Sequence, residues 1–532
     1  MEVLTKLRHH ANQIKAHHLR DLLSDSSRNT HANFESILLD FSHSKVTNET
    51  LELLSEYAES SNLFTKIAGL YSGEVINPTE GRSVLHTLLR AETSDLPIFG
   101  EVVDVRNRIK DFSSKVRNGE FVGVSGKPLV DTLCIGIGGS YLGPEFVAEA
   151  LKTEPECARA AAGRKLRFLA NVDPVDFIRN TSDLDPHTTL VIVISKTFTT
   201  AETMMNAKTV KEWMVKSLGE FPADEVVKKH IVAVSTNIPK TSEFGISVEN
   251  VFGFWDWVGG RFSVTSAVGL LPLYLQYGEN VTNFLKGANS VDKMFLEKAN
   301  RGGLSQNLPL LLGIIGWWNT EFLEYSSRAI LPYSQALVRF AAHIQQVDME
   351  SNGKQCSLTG EPVKTTGPLV FGEPGTNGQH SFYQLMHQGR IVPAEFIGFC
   401  KSHSTDTLAH NELMSNFFAQ PDALALGKTD YQLGTEKCPD HLIPHKRFPG
   451  DRPSLSILIE NLNSYTCGQL LALYEHRVAV EGFLWGINSF DQFGVELGKG
   501  LATQVKKTIE TGNFDEHPSK RLLEFYVAHR NN

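Results

Sequence analysis

The chain has 532 residues, enough for about three domains of ordinary size. Its composition, 41% hydrophobic and 21% charged, is typical of a globular protein, and its net charge of −9 comes without any block of Lys or Arg. These values disfavour a general nucleic-acid binder. Because the net charge is negative, any anionic ligand must be bound by a local site and is not attracted by the charge of the protein as a whole.

The compartment is indicated by what the sequence lacks. The N-terminal segment has acidic residues and no apolar stretch of the signal-peptide kind, and the six cysteines are scattered without a CxxC pair. The longest apolar run begins at Leu308 and is about half as long as a membrane span requires. We therefore expect a cytoplasmic protein with free thiols.

The predicted elements change in kind along the chain. Residues 1–100 show helical periodicity and turns, and we expect an N-terminal helical region there. Within residues 101–275, the β-rich runs "TLCIGIGG", "LRFLANV", "TTLVIVIS" and "HIVAVST" alternate with helical stretches. This alternation predicts an α/β domain with a mostly parallel sheet flanked by helices.

A second α/β domain is predicted for residues 300–480. Here "SRAILPYS", "GPLVFGEPG" and "AEFIGFCKS" have the character of strands between helical segments, and residues 421–454 are expected to cross the surface. Residues 481–532 are predicted to form a C-terminal helical arm with a break at Pro518. The fold class is therefore α/β, with two such domains in tandem.

The segment "SKTFTT", residues 195–200, places four hydroxyls and one cation where a buried strand ends. Ligands of open α/β sheets bind beyond the carboxyl ends of the strands, and a helix that begins near Thr200 offers free N–H groups. Ser195, Lys196, Thr197 and Thr200 therefore suit a phosphate. The alternative is an ordinary loop that caps the helix.

A glycine-rich turn, "CIGIGGSYLGPEF", follows an earlier strand of the same predicted sheet. Gly139 and Ser140 allow the backbone to approach a small ligand closely. A dinucleotide fingerprint is disfavoured because Tyr141 stands where its third glycine is required. A purely structural turn remains the alternative.

Two further motifs carry groups suited to acid–base chemistry. In "DWVGGRFSVTSAVGL", Arg261 follows Gly260 and can stabilise a developing oxyanion, unless it pairs with a surface carboxylate. In "QQVDMESNGK", Glu350 ends an apolar helix that also carries Gln346. A carboxylate in this place can act as a general base or can be a solvated helix end.

The remaining candidates lie toward the C-terminus. His380 in "GEPGTNGQHSFYQLMHQG" follows a glycine-rich loop, and its spacing of seven from His387 disfavours a zinc site. Gln492 and Lys499 in "SFDQFGVELGKG" are also seven apart and would share one face of a helix. A solvated helix face is the alternative interpretation of that pair.

Taken together, these segments resemble the phosphoglucose isomerase family. The matching motifs occur in the family's order, from "NPTEGRSVLH" at Asn77 to Lys499, and cover most of the chain. The resemblance implies two tandem sugar-isomerase (SIS) domains. It also implies reversible isomerisation of glucose 6-phosphate and fructose 6-phosphate through ring opening and a cis-enediol(ate), in glycolysis and gluconeogenesis.

The resemblance also implies roles for individual residues, with no cofactor and no metal. Glu350 would move the proton between C2 and C1, His380 would open the ring with help from Lys499, and Arg261 would lie beside the oxyanion. The substrate and its phosphate would be bound by a larger set: Gly139, Ser140, Ser195, Lys196, Thr197, Thr200, Gly260, Gln346 and Gln492.

In this family the histidine of "GQH" reaches the neighbouring subunit's active site, so the resemblance implies a homodimer in which His380 serves the partner. Val347 and Phe493 depart from residues common in the family, but neither replaces a reacting group. Three alternatives stay open: an isomerase that also accepts mannose 6-phosphate, a sugar-phosphate-binding regulator without catalysis, and an additional extracellular role.

Overall fold

The computed structural model describes residues 2–515 and 517–530, and the chain divides after Ser489 into two compact units. The described residues form eleven strands: β1 His31–Phe34, β2 Ile37–Asp40, β3 Asp131–Ile135, β4 Lys165–Leu169, β5 Thr189–Ile194, β6 Ile231–Val234, β7 Val251–Phe252, β8 Ser327–Pro332, β9 Leu369–Phe371, β10 Ala394–Lys401 and β11 Ser454–Asn461.

Helices make up most of the remaining regular structure. In the first half of the described chain they are α1 Glu2–Ala16, α2 Leu19–Leu23, α3 Asn48–Ser60, α4 Leu63–Ser72, α5 Phe99–Arg117, α6 Leu142–Leu151, α7 Pro155–Ala160, α8 Pro174–Thr181, α9 Ala201–Ser217, α10 Ala223–His230, α11 Ile238–Phe244 and α12 Ala267–Tyr277. In the second half they are α13 Asn280–Glu297, α14 Leu308–Glu321, α15 Phe340–Gln345, α16 Tyr383–Gln388, α17 Thr407–Leu426, α18 Asp430–Thr435, α19 Ile443–Lys446, α20 Ser464–Trp485, α21 Glu496–Thr511 and α22 Lys520–His529.

The first sheet is entirely parallel, with the strand order β4-β3-β5-β6-β7. Its central strands β3, β5 and β6 are buried at every residue, and β5 from Leu190 onward and β6 are continuous apolar runs. Strands of this composition are stable only when helices cover both faces of the sheet, as the βαβ alternation of the sequence indicates. The predicted parallel sheet is confirmed.

The second sheet has the order β1-β2-β11-β10-β8-β9. Strands β8 to β11 pair in parallel, as predicted for this half of the chain, but β1 and β2 form a hairpin whose β2 runs antiparallel to β11. The interpretation of the first hundred residues as helices and turns alone was wrong at this hairpin. The α/β class is confirmed.

Three long helices form the interior of the first unit. Every residue of α20 except Tyr465 and Trp485 is buried, and α14 is buried from Leu308 to Trp318. Glycines at the crossings let the helices approach closely, because a Cβ on Gly468 would meet the Phe284 carbonyl of α13. No helix in the described part of the chain is long and apolar enough to cross a membrane.

The second unit, from Phe490 onward, consists of a short 3₁₀ turn at Phe493–Val495 followed by α21 and α22. Pro518 lies between the two helices, which confirms the predicted break. The domain limits at residues 100, 275, 300 and 480 remain predictions.

Candidate active site

The predicted phosphate-binding loop occupies the end of β5. Ser195 is buried, and its hydroxyl lies 3.4 Å from Thr200 Oγ1. Thr200 is the N-cap residue of α9, yet its side chain makes no capping hydrogen bond. The exposed hydroxyls of Thr197 and Thr199 lie 2.6 Å apart. The loop thus keeps several hydroxyls that the helix itself does not use.

Lys196 ties this loop to the segment that leads to Gly260. Its Nζ donates to the carbonyl oxygens of Asp256, at 3.2 Å, and Val258, at 3.4 Å, and it lies 5.7 Å from the centre of the Phe254 ring. Partial burial lowers the pKa of Lys196. An ammonium held by carbonyl oxygens is partly desolvated and gains from an incoming anion.

The glycine-rich turn ends β3, the strand next to β5. Gly138 has a φ of +57°, and Ser140 is half-buried. A Cβ on Gly139 would lie 2.8 Å from the Arg261 backbone nitrogen and would also clash with the Gly260 carbonyl group. Only glycine fits at position 139, so this turn and the Gly260–Arg261 peptide are in direct contact.

Arg261 and Glu350 are brought together in the first unit. The guanidinium is 1% exposed, with Nη1 3.8 Å from Glu350 Oε2. Its Nε donates to Ser351 Oγ at 2.6 Å and its Nη2 to the Ser489 carbonyl oxygen at 2.6 Å. The arginine is therefore fixed in the interior and pairs with the candidate base instead of a surface carboxylate.

Glu350 is placed by an irregular helical turn. Residues Gln346–Glu350 form one π-helical turn that continues α15, and such turns recur at functional sites. Gln346 Nε2 donates to Glu350 Oε2 at 2.9 Å, while Gln346 Oε1 is buried without a hydrogen-bond partner among the described residues. The Glu350 side chain is 21% exposed, so the carboxylate remains reachable.

His380 lies apart from this group. It ends the 3₁₀ turn Asn377–His380 and is exposed, and its imidazole forms no hydrogen bond or ion pair with the residues that the structure describes. The turn itself is anchored, because Gln379 bonds to the Tyr333 hydroxyl at 2.9 Å and to Asn416 at 2.9 Å. The turn therefore presents His380 outward.

Gln492 and Lys499 belong to the second unit. Lys499 is exposed on α21, whereas Gln492 lies ahead of the 3₁₀ turn that precedes this helix. The two residues would share one face only if the segment were helical throughout, and the helix begins only at Glu496.

Sequence reasoning missed two residues that hold the site together. Ser351 and Ser489 both bind the Arg261 guanidinium. The "MESNGK" motif contains Ser351 but does not reveal its partner, which lies 90 positions away. Among the described residues, no group of three or more His, Cys, Asp or Glu side chains could hold a metal ion.

The fold and these groups define an α/β protein that holds a carboxylate and an arginine together and has a hydroxyl-rich loop at the end of β5. The profile of the Phosphoglucose isomerase family matches residues 40–521. The chain belongs to the phosphoglucose isomerase family.

Individual relatives agree with this assignment. The chain is 55% identical to "Glucose-6-phosphate isomerase, cytosolic B" of Oryza sativa subsp. japonica, over 98% of this chain and 95% of the relative. It is 56% identical to "Glucose-6-phosphate isomerase, cytosolic" of Arabidopsis thaliana, over 96% of this chain and 92% of the relative.

Solved structures are also similar. The crystal structure of a glucose-6-phosphate isomerase from Chlamydia trachomatis has a TM-score of 0.85 at 32% identity, covering 100% of this chain and 99% of that chain. A hypothetical protein from Thermus thermophilus, with a TM-score of 0.59 at 23% identity, covers 85% of this chain and 96% of its own and shares the fold.

Proposed function

We propose that this protein interconverts D-glucose 6-phosphate and D-fructose 6-phosphate reversibly. The proposal rests on one observation above all: Glu350 stands 3.8 Å from the buried Arg261 guanidinium, on a turn that also holds Gln346. A carboxylate with an adjacent fixed cation suits proton removal from a carbon next to a carbonyl. The names of the relatives supply the substrate pair.

The phosphate of the substrate binds at the end of β5. Hydroxyls of Ser195, Thr197 and Thr200 and the ammonium of Lys196 provide donors for its oxygens, with the N-terminus of α9 behind them. Ser140 adds a further donor from the neighbouring strand end. Binding the phosphate away from the reacting carbons supplies the energy that positions C1 and C2.

The isomerisation itself is a proton transfer. His380, with Lys499, opens the sugar ring by moving a proton between the ring oxygen and the C1 hydroxyl. Glu350 then removes the C2 proton of the open-chain aldose and returns it to C1 of the enediol(ate), while the oxygen-bound proton moves from O2 to O1. Arg261 and the Gly260 backbone stabilise negative charge on the oxygens, and Gln346 and Gln492 contact the sugar.

The active enzyme is a homodimer in this proposal. The exposed position of His380 supports a role in the partner's site, because the imidazole forms no hydrogen bond or ion pair with the described residues of its own chain. The named relatives are cytosolic, which supports the same compartment for this protein.

The test is a coupled assay of the full-length protein. Fructose 6-phosphate is supplied with EDTA present, and the glucose 6-phosphate formed is oxidised by an NADP-dependent dehydrogenase, whose NADPH is read by absorbance. Turnover in EDTA supports the proposal. A folded protein that binds fructose 6-phosphate but does not turn it over would refute it and favour a sugar-phosphate-binding regulator.

A further inference from the structure

The π turn that carries Glu350 also inserts a second carboxyl group, Asp348, into the interior. Asp348 enters a cluster of five buried charged residues: Arg328, Asp348, Glu395, Arg477 and Glu481. They come from β8, the π turn, β10 and α20, so the cluster connects the turn to the second sheet and to a central helix.

Arg328 is the direct link between the turn and the sheet. Its Nη1 donates to Asp348 Oδ2 at 2.8 Å and its Nη2 to Glu481 Oε1 at 2.7 Å. Arg477 completes the network, because its Nη1 donates to Glu395 Oε2 at 2.9 Å and its Nη2 lies 3.5 Å from Asp348 Oδ2. Since β8 pairs with strands on both sides, Arg328 is a rigid support.

The cluster is unbalanced in charge. Three carboxyl groups face two guanidiniums, and burial raises the pKa of Asp348, Glu395 and Glu481. Removing either guanidinium would leave buried carboxyl groups uncompensated, and both guanidiniums approach the same oxygen, Asp348 Oδ2. The position of Asp348 is thereby specified.

A second set of bonds fixes the other end of the turn. Asn352 Nδ2 donates to the Val478 carbonyl oxygen at 3.1 Å, and Asn352 Oδ1 accepts from Ser489 Oγ at 2.7 Å. The Ser489 carbonyl oxygen in turn accepts from Arg261. Glu350 therefore lies between two anchored positions, Asp348 before it and Asn352 after it.

We propose that Arg328 and Asp348 are positioning residues for catalysis: their hydrogen bond holds the π turn in the conformation that presents Glu350 to the substrate. The inference rests on the proposed function, in which Glu350 is the base. It assigns no substrate contact to either residue. A displacement of about 1 Å in a reacting group can cost about 10²-fold in rate, so the effect is measurable.

The main variant is Asp348→Ala in the full-length protein. We expect kcat to fall about 10- to 100-fold. The KM for fructose 6-phosphate should stay within about threefold, because the proposed phosphate-binding hydroxyls lie at the end of β5, in the first sheet. Asp348→Asn keeps an oxygen that accepts from Arg328, and it should recover most of the lost kcat.

Glu475→Ala is the matched control. Glu475 is as deeply buried as Asp348, and its carboxylate accepts a hydrogen bond from Arg90 Nη1 at 2.5 Å. It forms no hydrogen bond or ion pair with the described π turn. We expect this variant to lower the melting temperature about as much as Asp348→Ala while leaving kcat within about twofold. Equal kcat values for the two alanine variants would overturn the inference.

A double-mutant cycle with Glu350→Gln separates positioning from general damage. A residue that acts through Glu350 has nothing left to position in that background, so Asp348→Asn and Asp348→Ala should lower the residual rate by less than about twofold. Undiminished losses there would refute the inference. If Glu350→Gln retains full activity, Glu350 is not the base, and it is the proposed mechanism that is disproved. If Asp348→Ala retains full activity and Glu350→Gln does not, only the positioning role is disproved.

Discussion

Gly139 is required because another backbone occupies the place of its side chain. A Cβ there would lie 2.8 Å from the Arg261 nitrogen and would clash with the Gly260 carbonyl group. The glycine therefore lets one strand-end turn rest on the peptide that carries the arginine. The requirement comes from close approach, since Gly139 does not have a positive φ.

We predict that Gly139→Ala lowers the free energy of unfolding by about 1–3 kcal/mol, because the backbone must shift. The shift moves Arg261, so kcat should fall by about 10²-fold. Gly100→Ala is the control, since nothing lies within 4 Å of its added Cβ. Chemical denaturation and steady-state kinetics measure both effects, and wild-type kcat in Gly139→Ala would contradict the argument.

His343 is a buried imidazole that gives the stability a pH dependence. Both of its ring nitrogens lack hydrogen-bond partners among the described residues, and burial lowers its pKa to about 3. As the pH falls below the ordinary pKa of 6.5, the unfolded chain binds a proton that the folded protein does not. His343 therefore destabilises the fold increasingly from pH 6.5 down toward pH 3.

We expect His343→Phe to remove this contribution. The difference in unfolding free energy between variant and wild type should change in favour of the variant by about 1.4 kcal/mol per pH unit between about pH 6 and pH 4. Urea unfolding at several pH values measures it, with His441→Phe, an exposed site, as control. A difference that does not vary with pH would show that His343 takes up its proton over the same pH range in the folded protein as in the unfolded chain.

For single residues, sequence reasoning can bring side chains together when they belong to one short motif. Glu350 and Gln346 are four residues apart, and their hydrogen bond is local. Sequence reasoning failed where the partner is distant, as with Arg261 and Ser489, which are 228 residues apart. Nothing in either segment specifies the other, because the contact depends on how the whole unit packs.

Among the elements, α9 has an unusual N-terminus. Thr200 is its N-cap residue, but the side chain makes no capping bond, and it lies 3.4 Å from Ser195 Oγ. Thr47 at the start of α3 shows the ordinary arrangement, because its side chain accepts from the Thr50 backbone nitrogen. The Thr200 hydroxyl is therefore available to a ligand.

The two caps give a matched pair of variants. We predict that Thr200→Ala changes stability by less than about 0.5 kcal/mol but raises KM for fructose 6-phosphate about tenfold, through one lost hydrogen bond to a dianion. Thr47→Ala should lose about 1 kcal/mol of stability with an unchanged KM. A loss of stability in Thr200→Ala with an unchanged KM would show that Thr200 caps the helix and does not bind the phosphate.

The strands show where the pattern of the sequence is informative. β5, a run of buried apolar residues before a polar loop, was predictable because a strand with helices on both faces has this composition. The β1–β2 hairpin was missed because each strand has only four residues and a mixed pattern. Its pairing of Asp40 with Ser456 joins segments that share no local signal.

For the whole molecule, the proposed homodimer determines which residues meet in one active site. If each active site combines Glu350 of one subunit with the partner's His380, two inactive variants can complement each other. A heterodimer of Glu350→Gln and His380→Gln subunits has one site in which both residues are intact. If each site instead uses Glu350 and His380 of the same chain, this heterodimer has no intact site.

We therefore predict that co-expressing the two variants in equal amounts restores about a quarter of wild-type activity, since half of the dimers are mixed and each has one intact site. Each variant expressed alone is the control. Tagging the variants differently and isolating the mixed dimer should raise the value to about one half. No recovery in purified mixed dimers would show that His380 acts within its own chain.

The role of Glu350 as the base is tested by kcat of Glu350→Gln, taken with the equilibrium affinity of the same protein for fructose 6-phosphate. The substitution keeps the size of the side chain and one oxygen that can accept from Gln346, but it removes the base. We predict that kcat falls by at least about 10²–10⁴-fold while the affinity changes by less than about threefold. A kcat within about tenfold of wild type would contradict Glu350 as the proton-transferring group.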